Sequence, residues 1–277
     1  MAIGCSAKNG ISSKEEHEMT SDVRAARMEA EAFSEIPTKS TQSVQPQAQP
    51  TYAGLDAGSY PGQPAVDTYR GMGFAVTALY LSHAPARSIP HEVDAGWIAA
   101  ADYLAKSGWG LAPIYVGAEP AGSSTVPPPD DPLNDAQVDA TEAIALAQKA
   151  GFQPGRRIFL DVEAAFPANT PYESYVLKWL EVVQGAGYGT ALYCFPNQIG
   201  WCAAHGIPIW TVHLNKNTGT KNPQTGVITW SKLSAPLPAD SIDVGAMGTQ
   251  GRFYCQAAGL NVELDYDRWT VVDPSNS

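Results

Sequence analysis

Basic residues are scarce in this chain of 277 residues: 17 Lys and Arg stand against 28 Asp and Glu, for a formal charge of -11. Nucleic acids and anionic membrane surfaces are held by clustered Lys and Arg, so the composition argues against both and favours a neutral or cationic ligand. Long apolar runs are missing as well. No stretch approaches the roughly 20 residues of a membrane helix, and a soluble chain without membrane insertion is expected. Cysteine is sparse, with four residues at Cys5, Cys194, Cys202 and Cys255, too few for a disulfide scaffold. Cys194, Cys202 and His205 match no common zinc spacing, and thiols with at most one disulfide are expected. The start, "MAIGCSAKNGISSKEEHE", has no basic stretch followed by an apolar core, so it gives no recognisable secretory signal.

Residues 1–50 differ in character from the rest. Ser12 and Ser13 each have a glutamate three positions on, the capping-box spacing, and Met19, Val23, Ala26, Ala30 and Phe33 draw an apolar stripe behind them. This predicts a short amphipathic helix, with a protein partner or the main domain covering residues 12–34. The polar, proline-spaced "PTKSTQSVQPQAQP" that follows reads as a linker. The extension is therefore set at 1–50 and the main domain at 51–277.

From Thr51 on, apolar strand candidates alternate with helix signals. "YAGLDAG", "FAVTALYLS", "LAPIYVG", "RIFLDVEA", "GTALYCFPN", "IPIWTVHLN", "VGAMGTQG" and "NVELDYDRW" make eight strands. Helices are announced between several of them, one by Thr170, Pro171 and Glu173 as cap, first-turn proline and capping-box acid. Eight strands in this order predict a closed parallel (β/α)8 barrel of the TIM type. The segment from Leu214 to Asp243 is weak in helix signal, so the last third should be irregular.

Polar residues gather at the predicted strand ends, where the loops of such a barrel form a cup. Asp56 ends the first strand and His83 follows the second; Tyr115 is late in the third; Asp161 and Glu163 end the fourth. Tyr193 and Asn197 end the fifth, Trp210 and His213 the sixth, Gln250 the seventh, and Asp265 with Asp267 the eighth. Asp161 and Glu163 stand two apart in an apolar strand and so leave the same face. Their Cα atoms would be ~6.6 Å apart. Paired carboxylates in a cleft can divide the work of glycoside hydrolysis, one protonating the leaving oxygen and the other stabilising positive charge or guiding water. Tyr193 and Trp210 are placed for ligand contact, whereas Trp97, Trp109, Trp179 and Trp201 read as packing residues. A metal-assisted variant, with His83 or His213 joining Asp56 and Glu163, is open but has no H-x-x-x-H pairing behind it; no metal or cofactor is expected.

"GLDAGSYPG", "LDVEAAF", "ALYCFPN", "PIWTVHLN" and "VELDYDRW", in that order, resemble the strand-end motifs of the glycoside hydrolase family 25 lysozymes. They are closer still to the glycoside hydrolase-like domains catalogued as domain of unknown function 1906, over residues 52 to 270. The resemblance implies a barrel related to peptidoglycan hydrolases and an extracytoplasmic site of action. It would make Glu163 the general acid, Asp161 its partner, and Asp56 and Asp265 the supporting acids, with Asp267 a further member. From their places at the strand ends, Tyr115, Tyr193, Trp210, His213, Gln250 and Asp267 are expected on the substrate side. Two departures stand out. Where the lysozymes carry an aromatic pair around the seventh-strand glutamine, "MGTQGRF" has Thr249 and Gln250, and Phe159 stands where a chitinase-type signature has an aspartate. A glycan-binding barrel without turnover, including a component of a phage or injection device, is the alternative expectation.

Overall fold

The computed structural model describes residues 50–276 apart from 87, 89–92, 121–127, 163–167, 169, 213–218, 223, 226, 258–259 and 261. The expected N-terminal helix and linker thus lie outside the described residues. So do two expected site residues, Glu163 and His213.

Strand β1 (Tyr52–Asp56) leads through α1 (Gln63–Met72) to β2 (Phe74–Ser82), and α2 (Ala95–Lys106) leads to β3 (Gly110–Val116). Helix α3 (Pro132–Lys149) precedes β4 (Arg157–Val162), α4 (Pro171–Gly185) precedes β5 (Gly189–Cys194), and the short α5 (Ile199–Ala204) precedes β6 (Ile209–Val212). The helices start where the sequence supplies acceptors. Asp94 takes the Trp97 N–H at 2.8 Å, and Thr170 takes the Glu173 N–H at 3.2 Å with Pro171 opening α4. The Glu173 carboxylate accepts the Trp201 indole N–H at 2.6 Å. Helix α1, which the sequence reading does not single out, has no side-chain cap and starts from Gly62 with a proline in its first turn.

Among the described residues beyond β6 no further α-helix follows, in keeping with the weak helix signal. Short strands β7 (Thr220–Lys221), β8 (Ile228–Thr229) and β9 (Ser231–Leu233) occupy the segment before the long β10 (Gly248–Ala257) and β11 (Leu264–Trp269). Strands β1 to β6 pair in parallel and in sequence order, and β10 continues the series beside β6. β11 then pairs with both β10 and β1, closing an eight-stranded barrel, and it does so antiparallel. This differs from the all-parallel expectation. A parallel return needs a crossover of roughly a dozen residues, and the link from Ala257 to Leu264 is too short for one.

Alternation along the strands sorts the core into two layers. Val76, Ala78, Ala112, Ile114, Phe159, Ala191, Tyr193, Trp210, Val212 and Trp269 fill the barrel interior, while a larger cluster packs between strands and helices. Trp97, Trp109, Trp179 and Trp201 belong to the outer cluster, as packing residues should. Cys194, Cys202 and Cys255 are buried free thiols in the same layer. Among the described residues no helix is long and apolar enough to cross a membrane.

The lower interior is an aromatic plug. Phe159 meets Trp210 and Trp269 edge-on, each with centroids 6.0 Å apart, and the two indoles lie 4.8 Å from each other. Glycines make room for it: a Cβ on Gly54 would stand 2.4 Å from the Trp269 indole nitrogen, and one on Gly248 2.6 Å from the same ring. Gly54→Ala should therefore destabilise the barrel by about 1–3 kcal/mol through overpacking. Gly71→Ala, in open space on α1, should be neutral or stabilising by at most about 1 kcal/mol. Urea unfolding of the two variants beside the parent checks both signs.

Candidate functional site

Closure by β11 determines which acids meet. In the barrel register Asp56 stands opposite Asp265, and Asp267 stands opposite Gly54 on one side and Gln250 on the other. Residues two apart share a face, so Asp265 and Asp267 both point inward, the first at the carboxyl-end mouth and the second one layer deeper. Asp161, two residues beyond the interior Phe159, faces the same mouth and lies beside Tyr193.

Gln250 links these groups. Its amide nitrogen donates to Asp265 Oδ2 at 2.9 Å and to Asp56 Oδ2 at 3.4 Å, while its carbonyl accepts from the Tyr193 hydroxyl. Tyr193 thereby fixes which way the amide points. Two further donors serve the pair. The Tyr80 hydroxyl gives to Asp56 Oδ2 at 3.2 Å, and the backbone N–H of Tyr254 gives to Asp265 Oδ1 at 2.8 Å. Tyr254 holds a left-handed φ of 52°, a conformation costly for a bulky residue, which aims that N–H at the carboxylate. Hydrogen bonds of this kind favour ionised carboxylates.

Asp267 is in a different position. It is fully buried, and burial first, then the charges of Asp56 and Asp265, push its carboxyl well above the ordinary carboxylate range, with the Trp210 indole opposing the shift. Asp161 is also nearly buried, and its charge is one of those that raise the phenol of Tyr172 and the thiol of Cys194 behind it. Beside the pair opens a cleft of about 360 Å³, lined by Asp56, Gly58, Ser59, Glu263 and Asp265 among others.

Asp56, Asp161, Tyr193, Gln250, Asp265 and Asp267 are thus gathered on one inner face. Trp210 belongs to the same face but is fully buried, forming floor rather than rim. Tyr115 is not brought there. It follows the inward-facing Ile114, so alternation turns it out against α3 and α4, where it stacks on Trp179 and donates to Glu142 at 2.8 Å. His83 is occupied too: its ring nitrogen lies 2.8 Å from Asp94, the cap of α2, and the ring stacks on Tyr80.

The sequence reading misses several groups. Tyr80 shares the inner face with Val76 and Ala78, a signal present in the alternation of "FAVTALYLS". Phe253, three residues past Gln250, packs on the inner cluster while remaining partly exposed, so β10 does carry an aromatic to the mouth. Thr249 faces outward instead, hydrogen-bonded to Thr211 at 2.9 Å. Glu119, just past β3, is buried and acts with Asp161 on the Tyr172 phenol; Glu263 lines the cleft.

Because Gln250 donates to two carboxylates, Gln250→Glu sets a third acid between them. The variant should lose at least about 2 kcal/mol at pH 7 and markedly less at pH 4, where a proton restores a donor. Urea unfolding at the two pH values checks this, and a pH-independent cost would contradict the geometry.

Solved structures share this fold. The Clostridium perfringens spore cortex lytic enzyme SleM aligns with a TM-score of 0.53 at 14% identity, over 79% of this chain and 67% of that one. An uncharacterized B. stearothermophilus protein aligns with a TM-score of 0.51 at 18% identity, over 78% of this chain and 94% of that one. The Mycobacterium tuberculosis Tat-secreted protein Rv2525c, in complex with L-tartrate, gives 0.51 at 16% identity, over 79% and 95%. At such identities the likeness is one of fold. None of the curated proteins matches the chain. The model of the Rv2525c-like, glycoside hydrolase-like domain matches residues 67–267, most of the chain, and the chain belongs to this family.

Proposed function

We propose that the barrel mouth binds and hydrolyses the glycan strands of bacterial peptidoglycan. The observation that supports the reading is the meeting of Asp56 and Asp265 through Gln250 beside an open cleft, with Asp161 on the same inner face of the barrel. Glycosidic cleavage proceeds through an oxocarbenium-like transition state, which needs a proton for the leaving oxygen and negative charge beside the ring. In this reading Glu163, the next residue after Asp161 on its side of an extended chain, is the general acid. Asp161 is its charge partner, and Asp56 and Asp265 orient the sugar or the water through their fixed oxygens. Tyr193 sets the amide, and Phe253 offers a face for a sugar ring. Membership of a glycoside hydrolase-like family and a fold shared with a spore cortex lytic enzyme support the substrate class.

A second reading has its own observation. Asp56 and Asp265 accept from the same glutamine amide, an arrangement that also suits a module holding glycan without turning it over. Either role is exercised outside the cytoplasm. Rv2525c is a Tat-secreted protein, and residues 1–50 would serve this chain as an export address or as a tether to a protein partner.

Turbidity loss of purified cell wall separates the two readings. Hydrolysis predicts clearing by the wild type and a loss of about 10²–10⁴-fold in Glu163→Gln, with Asp161→Asn also impaired. Equal clearing by wild type and Glu163→Gln contradicts the assignment. Sedimentation with peptidoglycan and no release of reducing ends supports the binding module.

A further inference from the structure

Three carboxyls share two adjacent layers of the barrel interior, and they are not equivalent. Asp56 accepts from Tyr80 and Gln250, and Asp265 accepts from Gln250 and the Tyr254 backbone. Asp267, beneath them, has no exposed surface; the Trp210 indole N–H is directed toward it, but among the described residues neither oxygen takes a well-formed hydrogen bond. Among the described residues, the groups facing this part of the interior are Asp56 from β1, Tyr80 from β2, Asp161 from β4, Tyr193 from β5, Trp210 from β6, Gln250 from β10 and Asp265 from β11 itself. None of these is a cation. Arg157, on the inner side of β4, sits at the opposite end below Phe159, where its guanidinium donates to the Pro274 carbonyl at 3.0 Å. Arg268 alternates outward with Tyr266.

We infer that Asp267 is a neutral carboxylic acid at the floor of the site, a positioning residue whose retained proton allows Asp56 and Asp265 above it to be ionised together. A third negative charge in this buried layer would be opposed by desolvation and by both neighbours. Keeping the proton on the deepest acid leaves the two hydrogen-bonded ones charged at the mouth. Asp267 has no exposed surface, so its role is to set the charge of the acids above it. The bearing on glycan rests on the reading given above; the protonation itself does not.

The sign of the pH dependence follows from burial. An unfolded aspartate titrates near ~3.9, and in the fold Asp267 holds its proton to higher pH. Any advantage of the native state is therefore complete below the unfolded value and is lost as pH rises toward the folded one. Asparagine has the same shape and no proton to lose.

Unfolding of wild type and Asp267→Asn in urea from pH 4 to pH 8 tests the inference. The Asn variant should gain on the wild type as pH rises, the ratio of unfolding constants growing by up to about tenfold per pH unit across the shifted range. A ratio that stays flat, or a variant that falls behind as pH rises, overturns it. Should Asp267→Asn fail to fold, carboxyl ¹³C NMR of the wild-type chain decides. The Asp267 resonance should stay at its protonated position after the exposed aspartates have titrated, and titration together with them refutes the inference. Neither measurement contains glycan, so a failed clearing assay and a failed protonation assay are told apart.

Discussion

The mouth of this barrel depends on one amide group. Carboxylates from the first and last strands are pressed together by closure. Neutral donors help to offset their repulsion: the Gln250 amide between them, the Tyr80 hydroxyl on one side and the Tyr254 backbone on the other. Neutral donors stabilise charge without cancelling it, so the site keeps its negative potential for whatever enters. The Tyr193 hydroxyl completes the arrangement by occupying the amide carbonyl, which leaves the nitrogen no orientation except toward the acids.

The layer below sharpens this effect. Phe159, Trp210 and Trp269 fill the lower barrel, with Gly54 and Gly248 giving up their side chains to admit the last indole. A dry aromatic floor lowers the local dielectric, so hydrogen bonds at the mouth count for more and an unshared charge costs more. The same floor separates the acids from Arg157 at the far end. Packing and electrostatics are therefore one problem here: the residues that make the core solid also decide which acid is charged.

Much of this was legible in the chain. The inward face of β4 was readable because Asp161 interrupts an apolar run at strand spacing, and "LDYD" marked the closing strand. The cap of α4 was written in Thr170 and Pro171. Other features were not, for physical reasons. The antiparallel return of β11 follows from a link too short for a crossover, a fact visible only once the true extent of β10 is known. Tyr115 shows the cost of reading a polar-tipped aromatic by its distance from a strand end rather than by its parity with Ile114. The linking role of Gln250 joins residues nearly two hundred positions apart, and no local pattern announces such a contact. Glu163 and His213 lie outside the described residues, so their roles stay expectations from the sequence and its family resemblance.

The central claim is that the ring of Asp56, Asp161, Gln250 and Asp265 is a glycan site. Its most direct measurement is a protein-observed NMR titration with a soluble peptidoglycan disaccharide or tetrasaccharide, followed residue by residue. Saturable shifts concentrated on those four residues and on Tyr193 and Phe253, with the opposite end of the barrel unmoved, are the predicted result. Saturable shifts confined to another surface, or none at millimolar sugar, would contradict the account.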